Sequence, residues 1–187
     1  IEIDSFKTAL HKYKIGYVTE NRKEEGLFLE HSVVMNICVN SLQKCYYKRI
    51  PVINLKTEEE NADIYVKKLK IKTPGMTTLA GKLSGGNQQK ISIAKWLAAE
   101  CDILIIDEPT VGVDIGAKEY IHDLIWNLVT KENKTVILIS SDMNEMISLA
   151  RRILIFKNRK IVSELKGEEF FARPGSEISE EIGKSFV

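Results

Sequence analysis

The apolar positions of this chain change period several times, and each change predicts an element. "IGYVTE" (15–20), β-branched and aromatic, predicts a short strand, and the polar "NRKEEG" after it a loop. From His31 the spacing becomes helical, with Val34, Ile37, Cys38, Ser41, Leu42 and Cys45 on one face. "RIPVINL" (49–55) is predicted extended, because Pro51 restricts the residue before it. Thr57 and Glu60 have the spacing of a capping box, and Ala62, Tyr65, Val66 and Leu69 continue it as an apolar stripe. "KTPGMTT" (72–78) breaks the pattern as a loop.

Regular alternation follows. Ser84 is placed to cap a helix whose apolar face includes Ile91, Ala94 and Ala98. "DILIID" is a strand, Ile115 to Thr130 a helix, "TVILIS" a strand and Asp142 to Ala150 a helix. "RILIFK-NR-KIVSEL" (152–165) has the form of a hairpin. Strands apolar on both faces, alternating with helices, predict an α/β fold with a covered, mainly parallel sheet. No repeat or low-complexity tract interrupts it.

Composition narrows the classes. A chain of 187 residues, 44% hydrophobic and 28% charged, suits one globular domain or one with a subdomain. The 27 basic and 26 acidic residues leave a net charge of +1, which argues against a broad nucleic-acid-binding face. No apolar run approaches the ~20 residues of a membrane helix, so no direct insertion is expected. The first residues lack the form of a signal peptide and an initiator methionine, which suits a piece of something longer. Cys38, Cys45 and Cys101 have no C-x-x-C spacing and are expected to be core thiols.

Two motifs carry chemistry. In "ILIIDEPT" an apolar strand puts Asp107 at its C-terminal end, where α/β sheets bind ligands. A carboxylate there suits Mg²⁺ held between it and nucleotide phosphates, and the adjacent Glu108 is placed to orient or deprotonate a water. In "LSGGNQQK" (83–90), Gly85 and Gly86 open backbone N–H groups at a helix start and Ser84 adds a hydroxyl, a combination suited to a terminal phosphate. Each motif alone has a bland reading, a polar turn or a glycine loop. Their separation of about twenty residues makes them a pair.

That pair resembles the ATPases of the ABC family: "LSGGNQQK" is similar to the signature, "ILIIDEP" to the Walker B strand, "GVD" (112–114) to the D-loop and "IGYVTENRKEEGL" to the Q-loop segment. The variants "ENRKEEGL", N-Q-Q-K and "DEPTVGVDIGAK" resemble the second cassette of monosaccharide importers of the ribose, galactose and xylose type. The resemblance implies ATP and Mg²⁺, with Ser84, Gly85, Gly86, Asn87, Asp114 and Glu20 toward nucleotide. It further implies Asp107 and Glu20 toward the metal, and Glu108 and Ser141 toward hydrolysis. Two positions depart from the common pattern: Glu20 stands where most members have glutamine, and Ser141 where most have histidine. Serine carries no proton charge near neutral pH.

The phosphate loop G-x-x-x-x-G-K-S/T does not occur before the Q-loop strand. Gly81–Lys82 has Met76 in the first glycine's place, and "GKS" at 183–185 has Ile178 there. The sequence therefore resembles the C-terminal part of a cassette: a partial P-loop NTPase core from 1–28 and 101–187, with an inserted helical subdomain at 29–100. An incomplete core is expected to expose apolar sheet surface and to self-associate. The implied partners are a second cassette, packed head to tail, and transmembrane permease subunits at the cytoplasmic face of a bacterial inner membrane, with no nucleic acid. In such a pair Ser84 to Gly86 serve a phosphate held by the other cassette. Competing classes are a soluble ABC ATPase of translation or DNA maintenance, and a non-catalytic binding module. The first lacks its "NHLD" or its heptad arms here.

Overall fold

The computed structural model describes residues 3–47, 50–167 and 173–184. Arg49, at the head of the predicted extended run, and Ser185 of the "GKS" triplet lie outside these residues. The chain divides into two units, residues 1–139 and 140–187.

In the first unit a π-helical turn, Thr8–Lys12, leads into strand β1 (Ile15–Val18). The segment predicted as a loop is a second π-helical turn, Arg22–Gly26. Helix α1 (Val33–Cys38) gives way to a 3₁₀ segment, Val39–Cys45, with non-helical backbone at Ser41. One continuous helical face through Cys45 was expected, so the kink is a correction. Strands β2 (Tyr46–Tyr47) and β3 (Ile50–Ile53) pair antiparallel.

Helix α2 (Leu55–Lys68) is capped three residues upstream of the predicted Thr57. Asn54 is its N-cap and accepts backbone N–H bonds from Lys56 and Thr57 at 3.1 and 3.3 Å. Thr57 sits inside the helix, donating its own backbone N–H to that cap. Helix α3 (Gly85–Ala98) is buried almost all round, including Gln88, Gln89, Lys90, Ser92 and Lys95. It packs against α1, α2 and β1 at once, so its polar residues cannot reserve a solvent face. Lys95 instead donates to Gly26 O at 2.6 Å, and burial lowers its pKa.

Strand β4 (Ile103–Asp107), helix α4 (Ile115–Thr130) and strand β5 (Thr135–Ile139) complete the unit as the pattern predicted. The sheet runs β1-β4-β5, parallel throughout, with Tyr17 beside Ile105 and Ile105 beside Ile137. Its two faces differ. On one, Val18, Leu104 and Ile106 are fully buried, and Gly16 lies under the Trp96 ring, where an added Cβ would sit 2.9 Å from ring atoms. On the other, Tyr17, Ile137 and Ile139 are 45%, 50% and 47% exposed. That face matches the expected exposed sheet surface and contradicts full cover on both sides.

The second unit is built from helix α5 (Met143–Leu149), hairpin strands β6 (Arg152–Lys157) and β7 (Lys160–Lys166), and helix α6 (Gly175–Lys184). Asn158 and Arg159 turn the hairpin with φ of 52° and 63°, the left-handed pair that matches strand twist. Ile153, Ile155, Leu165, Ile178 and Ile182 form its core, with Met143, Met146 and Ile147 against them. α6 was not predicted from sequence. Gly183 and Lys184 lie within this helix, whereas a phosphate loop would place them ahead of a helix start.

All three cysteines are free and buried. Burial pushes the Cys38 thiol up to about 12 and Cys101 to about 11, as for inert core thiols.

Candidate functional site

The glycine pair opens α3 in a tightly filled corner. A Cβ at Gly85 would lie 2.6 Å from Gly112 O and 2.9 Å from Arg22 Nη2, and one at Gly86 would lie 2.6 Å from Ala117 Cβ. The two glycines thus have a steric reason within their own chain, beyond any opening for phosphate. The loop at 112–114 and the start of α4 rest directly on the first turn of α3.

Arg22 holds this contact. It is 7% exposed, and its guanidinium donates to Val111 O at 2.8 Å and Gly112 O at 2.9 Å. Gly112, at φ 67°, takes a left-handed backbone that most side chains disfavour. Asp114 is the N-cap of α4, accepting from Ala117 N at 2.9 Å. Sequence reasoning missed Arg22. Its partners are 89 and 90 residues away, and no local pattern marks a buried arginine as a clamp.

Ser84 is exposed at the edge of this corner. Asn87 Nδ2 donates to Ser84 Oγ at 2.9 Å, and Asn87 Oδ1 accepts from Lys72 N at 2.8 Å. Ser84, Gly85, Gly86, Asn87 and Asp114, all predicted site residues, are therefore gathered in one place.

The carboxylates form a second place, at the C-terminal edge of the sheet. Asp107 ends β4, half-buried, and its Oδ2 accepts from the Tyr17 hydroxyl at 2.8 Å. That bond, with the carboxylate charge, holds the Tyr17 pKa above the usual phenol range. Glu108 follows with φ 45°, and its N–H donates to Ile139 O at 2.9 Å. Left-handed backbone at a residue with a Cβ costs roughly 1 kcal/mol and collects at functional positions. Glu20 is exposed two residues beyond β1, the strand beside β4, so it shares this edge. Ser141 is exposed in the second unit, two residues beyond β5 in the chain.

The donor set suits Mg²⁺ in one manner only. Among the described residues no group of three or more His, Cys, Asp or Glu can cage a metal. Mg²⁺ is ordinarily held by one or two carboxylates, with phosphate oxygens and water completing the shell. Asp107, with one oxygen on Tyr17 and the other unengaged by any described residue, fits that role. No described helix is long and apolar enough to cross a membrane.

Comparison with known proteins identifies the family and the fold. The family model described as ABC transporter matches residues 2–111, more than half of the chain. Ribose import ATP-binding protein RbsA of Clostridium tetani is 44% identical over 169 residues, covering 90% of this chain and 33% of that protein. Galactose/methyl galactoside import ATP-binding protein MglA 1 of Photobacterium profundum is 37% identical over 169 residues, covering 90% of this chain and 34% of its own. The chain thus spans about a third of the length of the curated relatives it matches. A solved dimer of an ATP-binding cassette in a post-hydrolysis state, bound to ADP and phosphate, superposes with a TM-score of 0.70 at 25% identity, covering 88% of this chain and 68% of that one. Motifs, parallel sheet and family match converge: this chain belongs to the ABC transporter family.

Proposed function

We propose that the chain is the C-terminal part of a nucleotide-binding cassette in a bacterial monosaccharide importer, which couples hydrolysis of ATP to ADP and phosphate with sugar uptake. Residues 29–100 act as its signature-bearing subdomain, and 1–28 with 101–187 as its ATPase core. It works at the cytoplasmic face of the membrane, against a second cassette and transmembrane permease subunits. The observation that carries this reading is the joint placement of two sites on one chain: a signature corner with an exposed serine, and Asp107 and Glu108 at the end of β4. The ribose and galactose importer relatives support the substrate class.

In this reading Asp107 holds Mg²⁺, with Glu20 beside it, and the metal supplies neutralisation of phosphate charge. Glu108 orients and deprotonates the attacking water. Tyr17 keeps Asp107 pointed along the strand end. Ser84, with the N–H groups of Gly85 and Gly86, faces the nucleotide held by the partner cassette, where a helix N-terminus favours negative charge. Ser141 stands at the switch position.

The test uses the full-length protein with its permease in vesicles. ATP-dependent uptake of ribose or galactose is expected, lost in Glu108→Gln. Nucleotide trapping resolved by cassette should show Ser84→Ala impairing the opposite half-site. Serine to alanine adds no atom, so it avoids the clash with Ala117 that any side chain at Gly86 brings. Loss confined to the cassette's own site would overturn the cross-facing assignment, and the absence of sugar uptake would overturn the importer.

A further inference from the structure

α3 differs from the other capped helices of its unit at its start. Side-chain oxygens of Ser32, Asn54 and Asp114 each accept backbone N–H bonds from the first turns of α1, α2 and α4. Ser84 stands at the same position of α3, in extended backbone, and its hydroxyl makes no such bond. Its oxygen is engaged by Asn87 Nδ2 at 2.9 Å instead.

The direction of that bond is fixed from the far end of the amide. Lys72 N–H meets Asn87 at 2.8 Å, and an N–H can be received only by the amide oxygen. The amide nitrogen is thereby turned to Ser84, and an amide nitrogen only donates. Ser84 Oγ must accept, which leaves its own proton for another acceptor. Among the described residues Ser84 Oγ makes no other hydrogen bond. A phosphate oxygen only accepts, so a serine held this way presents the polarity that a phosphate needs.

We propose that Asn87 is a positioning residue: anchored by the Lys72 backbone, it sets the Ser84 hydroxyl as an outward donor to the terminal phosphate of the facing nucleotide. This rests on the assignment of Ser84 to a phosphate across the cassette pair. Both polar atoms of the Asn87 side chain are engaged within the chain, and one N–H of the amide is left over from these bonds.

The experiment is a double-mutant cycle on ATP turnover by the full-length protein: wild type, Ser84→Ala, Asn87→Asp and the pair. Aspartate keeps an oxygen for Lys72 N–H and replaces the donor by an acceptor, so the Ser84 proton turns inward. Asn87→Asp is expected to lower kcat roughly tenfold or more, with a much smaller change in KM for ATP. In the Ser84→Ala background the same change should cost no more than about twofold, since its effect passes through the missing hydroxyl. Asn87→Ala, which frees the hydroxyl to rotate, should fall between wild type and Asn87→Asp, and it serves if the aspartate variant unfolds. A carboxylate acting by plain repulsion, or by loosening the helix start, would cost the same with or without the hydroxyl. That additive result overturns the role of Asn87, as does wild-type turnover in Asn87→Asp. Wild-type turnover in Ser84→Ala is a different outcome: it overturns the cross-facing assignment itself, and Asn87 with it.

Discussion

The start of α3 and the end of β4 are both proposed to serve phosphate, yet they are built in opposite ways. The α3 corner is packed shut: two glycines leave no room for a methyl group, Arg22 bridges two carbonyls, and both amide atoms of Asn87 are engaged. At the strand end, Asp107 has a single tyrosine donor from a described residue, and Glu108 sits in left-handed backbone. A surface that must meet a nucleotide held elsewhere gains from being rigid before contact. A carboxylate that is to hold a metal needs a lone pair left open, as Asp107 has among the described residues. The packed residues of the corner, Arg22, Gly85 and Gly86, should therefore carry stability, and Asp107 and Glu108 should carry chemistry.

The sharpest division comes from Glu108→Gln in the full-length protein. Turnover at its own half-site should slow by about a hundredfold or more, with nucleotide affinity kept. Asp107→Asn should instead weaken Mg²⁺-dependent nucleotide binding. Identical nucleotide titrations for the two would erase their distinct roles, and a large drop in melting temperature for either would break the comparison.

Arg22→Ala tests the corner from the other side. It strips a buried donor pair from two carbonyls and leaves a cavity, so unfolding in urea should show a loss of roughly 2–3 kcal/mol. Arg22→Lys should recover only part, because an ammonium lacks the planar fork that spans both oxygens. An Arg22→Ala protein as stable as wild type would remove the clamp from this account.

Next in size is Gly85→Ala, whose methyl meets a backbone carbonyl that cannot rotate away. Overpacking of this kind costs about 1–3 kcal/mol. Gly116→Ala is the control, since an added Cβ there meets nothing nearer than Asp114 Oδ1 at 3.6 Å. In α4 it should be neutral or stabilising by up to ~1 kcal/mol. Equal effects at the two glycines would show that the corner is not tight.

The smallest expected effect is spectroscopic. Tyr17 bonded to Asp107 should titrate above the ordinary phenol pKa, because the protonated hydroxyl is the form that donates. The bond is therefore intact at and below the usual tyrosine range and is lost only as pH rises through the elevated value. Asp107→Asn should bring the Tyr17 titration down, as followed by ultraviolet absorbance or NMR. No change would mean that the hydroxyl does not face the carboxylate.

Legibility in the sequence followed the range of the forces involved. β4, α4, β5 and the hairpin were readable because apolar period and turn residues act within a few positions. Asp107 and Glu108 were readable for the same reason, as carboxylates closing an apolar strand. The start of α2 was misplaced by three residues, because Asn54 and Thr57 are both competent caps and only the fold shows which one the backbone reaches. α3 was assigned one apolar face, since the sequence does not reveal that neighbours enclose it on several sides.

What the sequence by itself determined is the run of elements from β4 through the hairpin, and the family. These depend on local periodicity and on motifs whose spacing is visible along the chain. Only the tertiary structure decided that the signature glycines are closed in by Gly112 and Ala117, that Arg22 ties the two loops together, and that Lys72 turns the Asn87 amide toward Ser84. Each of those contacts joins residues fifteen or more positions apart, through hydrogen bonds and steric exclusion that exist only once the chain has folded them together.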